Sequence, residues 1–221
     1  MSRILIADDH PLYRLALMQA VRELLPEASL LEAATLDAAR TLLNAEPDTD
    51  LVLLDLHMPG NHGLMGLAML RSEFPTVAIV MISAHDDART ISRALAYGAA
   101  GFIPKRADMR DLQTALRAVL NCENYVPPGL RDAVNAVSKS STDAALAKKV
   151  ASLSAQQLRV LNLVSEGRLN KQIADNLGIQ ERTVKAHMTA IFEKLGVRNR
   201  TQAGVLLRSL ELADPANVVA D

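Results

Sequence analysis

Short apolar runs alternate with stretches of helical spacing along the first half of the chain. The apolar runs have the length and uniform hydrophobicity of strands that are buried on both faces. Between them, apolar residues recur every three or four positions, as in helices that pack on one side. The predicted strands are Arg3 to Ala7, Ser29 to Ala34, Leu51 to Leu54, Val77 to Ile82 and Gly101 to Ile103. Five strands that alternate with five helices predict an α/β fold with a doubly wound, five-stranded parallel sheet.

The pattern changes in the second half, where helical spacing runs from Leu153 to Leu212. Ser154 precedes Gln157 by three residues, which predicts a capping box at the start of the first helix. Glycines at 167, 178 and 196 have the positions of helix C-caps, so we expect a small all-α domain of four helices. Prolines and a polar run between the halves indicate a linker. The predicted divisions are 1–125, a linker at 126–149, and 150–214, with a helix-turn-helix at 170–189.

Length and composition narrow the class of protein. The chain has 221 residues, enough for two domains, and its 49% hydrophobic and 22% charged residues are typical of globular proteins. No apolar stretch approaches the roughly 20 residues of a membrane span. The N-terminus lacks a signal-peptide pattern, and the one cysteine, Cys122, leaves no internal disulfide. We therefore expect a cytoplasmic protein with no membrane partner.

Charge is distributed unevenly along the chain. Residues 1 to 125 hold 11 Lys+Arg against 16 Asp+Glu, a net charge of −5, whereas residues 153 to 213 have a net charge of +4. Residues 126 to 152 have a net charge of +2. A basic second half indicates that this half binds a polyanion. The opposite signs also predict that the first half restrains the second by covering its basic face.

Polar residues follow four of the predicted strands. They are the pair Asp8 and Asp9, then Asp55, Ser83 and Lys105. The carboxyl ends of parallel strands meet at one edge of such a sheet, where ligands bind. Three carboxylates in one crevice repel one another unless a cation lies among them, and Mg²⁺ is the expected ion.

These residue types together indicate phosphoryl transfer. Lys105 and Ser83 can stabilise a transferring phosphoryl group, and Asp55 can act as the nucleophile that forms an aspartyl phosphate. Taken singly, each residue has another interpretation. Asp8 and Asp9 could cap the helix that begins near Pro11, and the others could be turn or surface residues. The joint placement at four strand ends favours the site.

On these residues and on the motif Leu53-Leu54-Asp55-Leu56-His57-Met58-Pro59-Gly60, residues 1 to about 125 resemble a response-regulator receiver domain of two-component signalling. The resemblance implies a flavodoxin-like fold with Asp55 as the phosphoacceptor. It also implies that Asp8, Asp9 and Asp55 hold Mg²⁺, and that the backbone carbonyl of His57 supplies a further ligand.

The same resemblance implies a conformational switch. Ser83 corresponds to the family's Ser/Thr switch residue, Lys105 to its characteristic lysine, and Phe102 to the aromatic residue whose rotamer reports phosphorylation. Phe102 could equally be an ordinary core residue. The family often has proline after the lysine, whereas here Pro104 precedes Lys105 and Arg106 follows it, so the backbone there is expected to differ.

The second half contains helix-turn-helix spacing around Gly178. In its second helix, Val184, Met188, Ile191 and Leu195 mark a buried face, and the opposite face is small and partly cationic. Such a face can enter the major groove, with Lys185 reaching a guanine edge and Ala186 contacting a thymine methyl. The alternative is a basic surface on a protein-binding helical bundle.

Several segments of this half resemble a LuxR-type helix-turn-helix, among them Leu153-Ser154-Ala155-Gln156-Gln157, Asn170-Lys171-Gln172-Ile173-Ala174 and Thr183-Val184-Lys185-Ala186-His187. With the receiver, the chain is similar to NarL/FixJ-type response regulators. The resemblance implies that Lys185, Ala186 and Thr189 face bases. It implies that Lys171, Arg182 and Thr183 hold phosphates, and it leaves His187 either to brace the helix or to contact DNA.

The last predicted helix, Thr201 to Leu212, carries a second apolar stripe formed by Val205 and Leu212. The family is described as dimerising through this helix, although a wide core stripe is the alternative. The chain is thus predicted to be a transcriptional regulator that a sensor histidine kinase phosphorylates on Asp55. Phosphorylation is expected to permit binding to double-stranded promoter DNA as a homodimer.

Two other functions receive less support from the sequence, and we predict that the protein is not an enzyme. An aspartyl-phosphate phosphatase would usually have a second acid two residues after the nucleophile, where this chain has His57. A dinucleotide-binding protein would carry GxGxxG or GxxxxGK[ST], and the glycines at 60, 63 and 66 form neither motif.

Overall fold

A parallel sheet forms the centre of the first half in the computed structural model, which describes residues 2–59, 61, 63–140 and 143–208. The strands are β1 (Arg3–Ala7), β2 (Ser29–Ala33), β3 (Leu51–Asp55), β4 (Ala78–Ser83) and β5 (Gly101–Pro104). Their order in the sheet is β2-β1-β3-β4-β5, with every neighbouring pair parallel. The chain order therefore reverses beside β1, and the predicted doubly wound sheet is confirmed.

Five helices cover the two faces of this sheet. They are α1 (Pro11–Leu24), α2 (Leu36–Ala45), α3 (Leu64–Glu73), α4 (Ala88–Ala96) and α5 (Met109–Leu120). Buried residues of α1 and α5 pack on one face, and those of α2, α3 and α4 pack on the other. The starts of α2, α4 and α5 are fixed by side-chain caps from Thr35, Asp87 and Asp108, which accept hydrogen bonds from free backbone amides.

Two further helices lie in the segment for which the sequence pattern indicates a linker. After a 3-10 turn at Pro128–Leu130, the chain forms α6 (Arg131–Ser140) and α7 (Asp143–Ala151). Val134 of α6 and Val150 of α7 are buried, so each helix has an apolar anchor among polar residues. The polar composition therefore coincides with short amphipathic helices rather than with extended chain.

The last helices are α8 (Ala155–Ser165), α9 (Asn170–Leu177), α10 (Glu181–Leu195) and α11 (Arg200–Arg208). The predicted capping box is present, because Ser154 accepts from the amide of Gln157 and Gln157 accepts from the amide of Ser154. Gly178 and Gly196 end α9 and α10 in the left-handed conformation, with φ of 63° and 72°. The helical second half is confirmed.

The two halves pack against each other, and their buried residues form a continuous apolar cluster. Paired charges surround it. Glu73, at the end of α3, accepts hydrogen bonds from Arg40 of α2 at 3.0 Å and from Arg159 of α8 at 2.9 Å. Arg93 of α4 lies 3.7 Å from Asp143 of α7. A hydrogen bond of 2.8 Å between the hydroxyls of Ser92 and Ser138 joins α4 to α6.

The position of this interface corrects one expectation from the charge distribution. Residues 1 to 125 contact α6, α7 and α8, whereas Lys185, Ala186 and Thr189 on the outer face of α10 are exposed. The prediction that the acidic half covers this basic face is wrong for the described arrangement. Local ion pairs such as Glu73 with Arg159 fix the docking surface, and net charge does not reveal such pairs.

Candidate functional site

The strand ends bring an acid, a lysine and a second acid into direct contact. Asp8 follows β1, Asp55 is the last residue of β3, and Lys105 follows β5. The ammonium nitrogen of Lys105 lies 2.8 Å from Oδ2 of Asp8 and 3.0 Å from Oδ2 of Asp55. Both carboxylates are almost completely buried. The prediction that these three residues lie together is thus confirmed.

Burial and charge act in opposite directions on the protonation of this cluster. Burial raises the pKa of Asp55 and the negative charge of Asp8 adds to the rise, while Lys105 and the amide of His57 lower it. Burial alone would lower the pKa of Lys105, but its bonds to Asp8 and Asp55 raise the pKa overall. The lysine is therefore held in its charged form between two acids.

Asp9 and His10 complete the acidic end of the site. Carboxylate oxygens of Asp8, Asp9 and Asp55 and a ring nitrogen of His10 all lie within 4.8 Å of one another. Oδ2 of Asp8 is paired with Lys105, and Oδ1 of Asp9 lies 2.7 Å from Nδ1 of His10, so the cluster gathers several carboxylate oxygens in a small volume. Oxygen donors of this kind fit a hard divalent cation. The described residues can therefore hold the metal that the sequence predicts.

The alternative that Asp8 and Asp9 cap the first helix is not observed. The N-cap residue of α1 is His10, and no side chain caps this helix. The carboxylate of Asp8 instead accepts from the backbone amide of His10 at 2.7 Å, and its position is further set by Arg14, which donates to the Asp8 carbonyl. These contacts aim Asp8 across the site towards Lys105.

Ser83 lies on β4, the strand next to that of Asp55, and Phe102 lies on β5, one strand further from Asp55. Ser83 ends β4, is fully buried, and its hydroxyl accepts from the amide of His85 at 3.0 Å. Phe102 is fully buried in the core between the sheet and the outer helices. After β5, the amide of Lys105 donates to the carbonyl of Ser83 at 2.7 Å, which extends the ladder by one residue. The switch roles of Ser83 and Phe102 and the carbonyl ligand at His57 stay predictions.

An open cavity of about 760 Å³ gives access to the cluster. Its lining includes two residues that the sequence reasoning missed. The ring of Tyr13 lies 5.0 Å from the Lys105 nitrogen, and burial together with Asp8 and Asp55 raises the pKa of Tyr13 to about 12. His10 also lines the cavity. His10 is the N-cap residue of α1 and Tyr13 lies in its first turn, and the only signal for either in the sequence was their closeness to the acid pair.

The helix α10 has the two faces that the spacing predicts. Its buried residues are Val184, Met188, Ile191 and Leu195. Of the residues assigned to DNA, Arg182, Lys185, Ala186 and Thr189 are exposed, Thr183 is half-buried, and Lys171 is exposed on α9. Lys185 is paired with Glu181, one turn earlier, at 3.0 Å. To contact another group, Lys185 must therefore break its ion pair with Glu181 or contact both groups at once.

The dimerisation residues are described in part. Val205 lies on α11 and is 60% exposed, while Ala203 and Leu207 of the same helix are buried. An exposed valine beside a buried stripe fits a second apolar face. Leu212 lies outside the described residues. In the part of the chain that the structure covers, no helix has the length and hydropathy that a membrane span requires.

Comparison with known families covers both halves. Residues 4–117 match the family described as response regulator receiver domain. Residues 151–207 match the family described as bacterial regulatory proteins, luxR family. The two matches give the same order of domains as the sequence resemblance, with the receiver first and the LuxR-type domain second.

Characterised relatives and solved structures align along nearly the whole chain. The glycerol metabolism activator of Pseudomonas putida is 43% identical and covers 92% of this chain and 93% of its own. The nitrate/nitrite response regulator protein NarL of Escherichia coli K12 is 32% identical, with coverage of 92% and 94%. RcsB of Salmonella typhimurium has a similar fold, with a TM-score of 0.55, 22% identity and coverage of 94% and 98%.

A further RcsB structure, from Salmonella enterica serovar Typhimurium and bound to promoter P1flhDC in the presence of phosphomimetic BeF3-, has a TM-score of 0.55 at 24% identity, with coverage of 95% and 98%. At this identity the likeness concerns the fold. The family matches and the relatives place the protein among transcription regulators rather than enzymes. The chain belongs to the NarL/FixJ-type response regulators, which join a receiver domain to a LuxR-type DNA-binding domain.

Proposed function

We propose that Asp55 accepts a phosphoryl group from a sensor histidine kinase and that this modification controls the binding of promoter DNA. The observation that carries the proposal is Lys105, whose ammonium bridges Asp8 and Asp55 at 2.8 and 3.0 Å. A buried acid at a strand end, opposite a fixed cation and inside an open cavity, has the arrangement that phosphoryl transfer requires. We also propose the division into a receiver at 1–125, a linker at 126–149 and a DNA-binding domain at 150–214.

In the proposed reaction a carboxylate oxygen of Asp55 attacks the phosphorus atom. A new O–P bond forms while the N–P bond of a phosphohistidine breaks, and the imidazole leaves with its electron pair. Lys105 stabilises the charge on the phosphoryl oxygens, since its ammonium already lies at the Asp55 carboxylate.

Asp8, Asp9 and Asp55 are proposed to hold Mg²⁺, with the backbone carbonyl of His57 as a further ligand. The grouping of these carboxylates supports the proposal, because one oxygen from each lies within 4.8 Å of the others and like charges this close repel one another unless a cation lies among them. When bound, Mg²⁺ neutralises charge on the phosphoryl oxygens. Ser83 and Phe102 would then transmit the change in charge, Ser83 by turning its hydroxyl towards the phosphoryl group.

DNA binding is proposed for the outer face of α10. Lys185, Ala186 and Thr189 would contact base edges, and Lys171, Arg182 and Thr183 would hold phosphates. The exposure of this face supports the proposal, as does the fold shared with RcsB structures bound to promoter DNA. The partner is double-stranded DNA in the cytoplasm, and a homodimer would form through Val205 and Leu212.

Intact mass measurement tests the phosphorylation site. The wild type and Asp55→Asn would be incubated with a small acyl phosphate, with and without Mg²⁺. We expect a gain of one phosphate in the wild type only when Mg²⁺ is present, and no gain in Asp55→Asn. Asp9→Ala should also fail, because it loses a metal ligand.

Asp48→Asn is the matched control, since Asp48 is an exposed acid in the loop before β3. It should gain phosphate as the wild type does. Equal modification of Asp55→Asn and wild type would reject Asp55 as the acceptor. Modification of the wild type that is independent of added Mg²⁺ and resistant to a chelator would reject the metal assignment.

A further inference from the structure

Glu181 and Lys185 form an ion pair on the outer face of α10, one turn apart. The ammonium nitrogen of Lys185 lies 3.0 Å from Oε1 of Glu181, and the two side chains are 65% and 47% exposed. Both residues belong to the N-terminal part of the helix, which in a helix-turn-helix is the part that contacts base edges. A carboxylate therefore stands on the surface that is proposed to face DNA, beside the lysine that is proposed to read a base.

The other cations assigned to DNA differ from Lys185 in this respect. Lys171 and Arg182 are exposed, and neither has an acid partner among the residues that the structure describes. These two are the proposed phosphate contacts. The acid thus neutralises the one cation that is proposed to read sequence, and it leaves the two sequence-independent cations unpaired.

Helix stability alone gives only a small reason for an acid at this position. A pair spaced four residues apart and an acid in the first turn each stabilise an exposed helix slightly. The phosphates of a bound duplex would repel the same carboxylate. An acid on this face therefore weakens binding to any duplex, and it does so most where the complex takes its cation away.

Base edges and phosphates make different demands on Lys185. Its ammonium carries three N–H donors, so it can donate to the O6 and N7 acceptors of a guanine and still contact Glu181. Phosphates line the margins of the groove, and a lysine that extends to one of them leaves the carboxylate behind. The acid is then unpaired in the field of the phosphates. Its presence thus costs more in a sequence-independent complex than in a specific one.

We propose that Glu181 is a positioning residue that raises DNA specificity, because it competes with phosphates for Lys185. The inference rests on the proposed DNA contacts of α10 and deepens them. Lys185 stays on Glu181 while the protein samples non-cognate DNA, and it donates to a base only where a guanine edge lies within reach. The acid lowers affinity for every sequence, and it lowers non-cognate affinity most.

Glu181→Gln tests the inference in the full chain, since it removes the charge and keeps the length of the side chain. We expect affinity for a scrambled duplex to rise about twofold to fivefold, the range that corresponds to an exposed ion pair. Affinity for a selected duplex should rise less, so the ratio of the two affinities falls. The dependence of log affinity on log salt for the scrambled duplex should steepen by about one, because Lys185 gains a phosphate.

Glu193→Gln is the matched control, since it makes the same change of charge at another exposed acid of α10. The two acids lie near opposite ends of the helix, roughly 18 Å apart along its axis. This separation exceeds the Debye length of about 10 Å at 0.1 M salt, at which the affinities would be measured. Glu193→Gln should therefore leave the ratio of affinities unchanged.

The double variant Glu181→Gln/Lys185→Ala shows whether the acid acts through the lysine. We expect the gain on the scrambled duplex to disappear in the Lys185→Ala background. A gain that persists there, or an equal gain on both duplexes in the single variant, would overturn the inference, because either result would mean general repulsion between the acid and DNA. Lower affinity of Glu181→Gln for both duplexes would also overturn it, since the acid would then only support the helix.

Failure of the base-reading proposal is recognised separately. In that case Lys185→Ala alone would weaken binding to the selected and the scrambled duplex by the same factor.

Discussion

Lys105 holds together two buried carboxylates that would otherwise repel each other. Asp8 and Asp55 are both nearly inaccessible to solvent, and the lysine contacts both. Removing one partner from such a group leaves uncompensated buried charge, which costs more than the ion pair itself contributes. The residue that would stabilise a phosphoryl group is therefore also one on which the metal-free fold depends.

Lys105→Ala should lower the free energy of unfolding of the metal-free receiver by about 3 kcal/mol. Mg²⁺ should recover part of the loss, because a cation that binds only the folded state stabilises it. Urea denaturation with and without Mg²⁺ measures both effects. Arg106→Ala is the neighbouring control, since the Arg106 side chain is 75% exposed and its loss should change stability by no more than about 0.5 kcal/mol.

The acids and the lysine were predictable from sequence because strand ends of a parallel sheet converge on one edge. His10 and Tyr13 were not predictable in this way. Their positions depend on how α1 begins, which places the Tyr13 ring near Lys105 and the His10 ring near Asp9, and helical spacing does not specify this. A sequence pattern identifies which residues meet at the strand ends. It does not identify which side chains from the neighbouring helix contact those residues.

At the scale of elements, α10 has one face buried in the core and one exposed face that is proposed to bind DNA. Four apolar residues at helical spacing bury one face, and this was predictable from periodicity alone. The Lys185–Glu181 pair on the other face was not predicted, although both residues are one turn apart. The helices α6 and α7 were missed because each buries only one large apolar residue, Val134 or Val150, among mostly polar neighbours.

Lys185→Ala should cost about 1 to 3 kcal/mol on the preferred DNA sequence and relax the preference at one base position, because Lys185 is proposed to read a base edge. Lys171→Ala, on α9, should weaken all sequences alike, as expected for a phosphate contact. Affinities for a selected duplex and a scrambled one, measured over a salt series, separate the two cases. A uniform loss for Lys185→Ala would make it a phosphate contact.

Val205→Glu should weaken dimeric DNA binding, since it places a charge on the exposed apolar position of α11. The monomer should stay folded, because the buried face of the helix is formed by Ala203 and Leu207. Circular dichroism would establish the fold, and sedimentation with a duplex of two half-sites would give the stoichiometry. Two bound protomers at wild-type affinity would exclude this face from the dimer.

At the scale of the whole molecule, paired charges connect the receiver to the helices that follow it. Glu73 is the centre of one group, with Arg40 from the receiver and Arg159 from α8. Glu73→Gln should loosen the docking of α8, because it removes the charge that both arginines share. Small-angle scattering should show a larger radius of gyration, and amide exchange in α8 should accelerate.

Glu46→Gln is the control for this variant, since Glu46 pairs with Arg3 inside the receiver. It should leave scattering and exchange in α8 unchanged. If Glu73→Gln also leaves the radius of gyration and the amide exchange in α8 unchanged, the ion pairs of Glu73 form as a result of docking and do not stabilise it.

The same group predicts a dependence on pH. Burial would raise the pKa of Glu73, but hydrogen bonds from Arg159 and Arg40 outweigh it and hold the pKa below the ordinary value of 4.5. A lowered pKa means that the ionised form favours the folded state. This contribution is complete above pH 4.5 and is lost as the pH falls through the lower value. Glu73→Gln should remove this part of the pH dependence of the free energy of unfolding, as urea denaturation at several pH values would measure.

The exposed outer face of α10 limits what the proposed phosphorylation could regulate. With the receiver docked on α7 and α8, the face proposed to read DNA is still open to solvent. A protein of this shape can scan the chromosome through weak, sequence-independent contacts before any signal arrives. The signal would then act on residence time at promoters, through pairing of protomers, rather than on first access. The search for the target would be complete by the time the kinase responds.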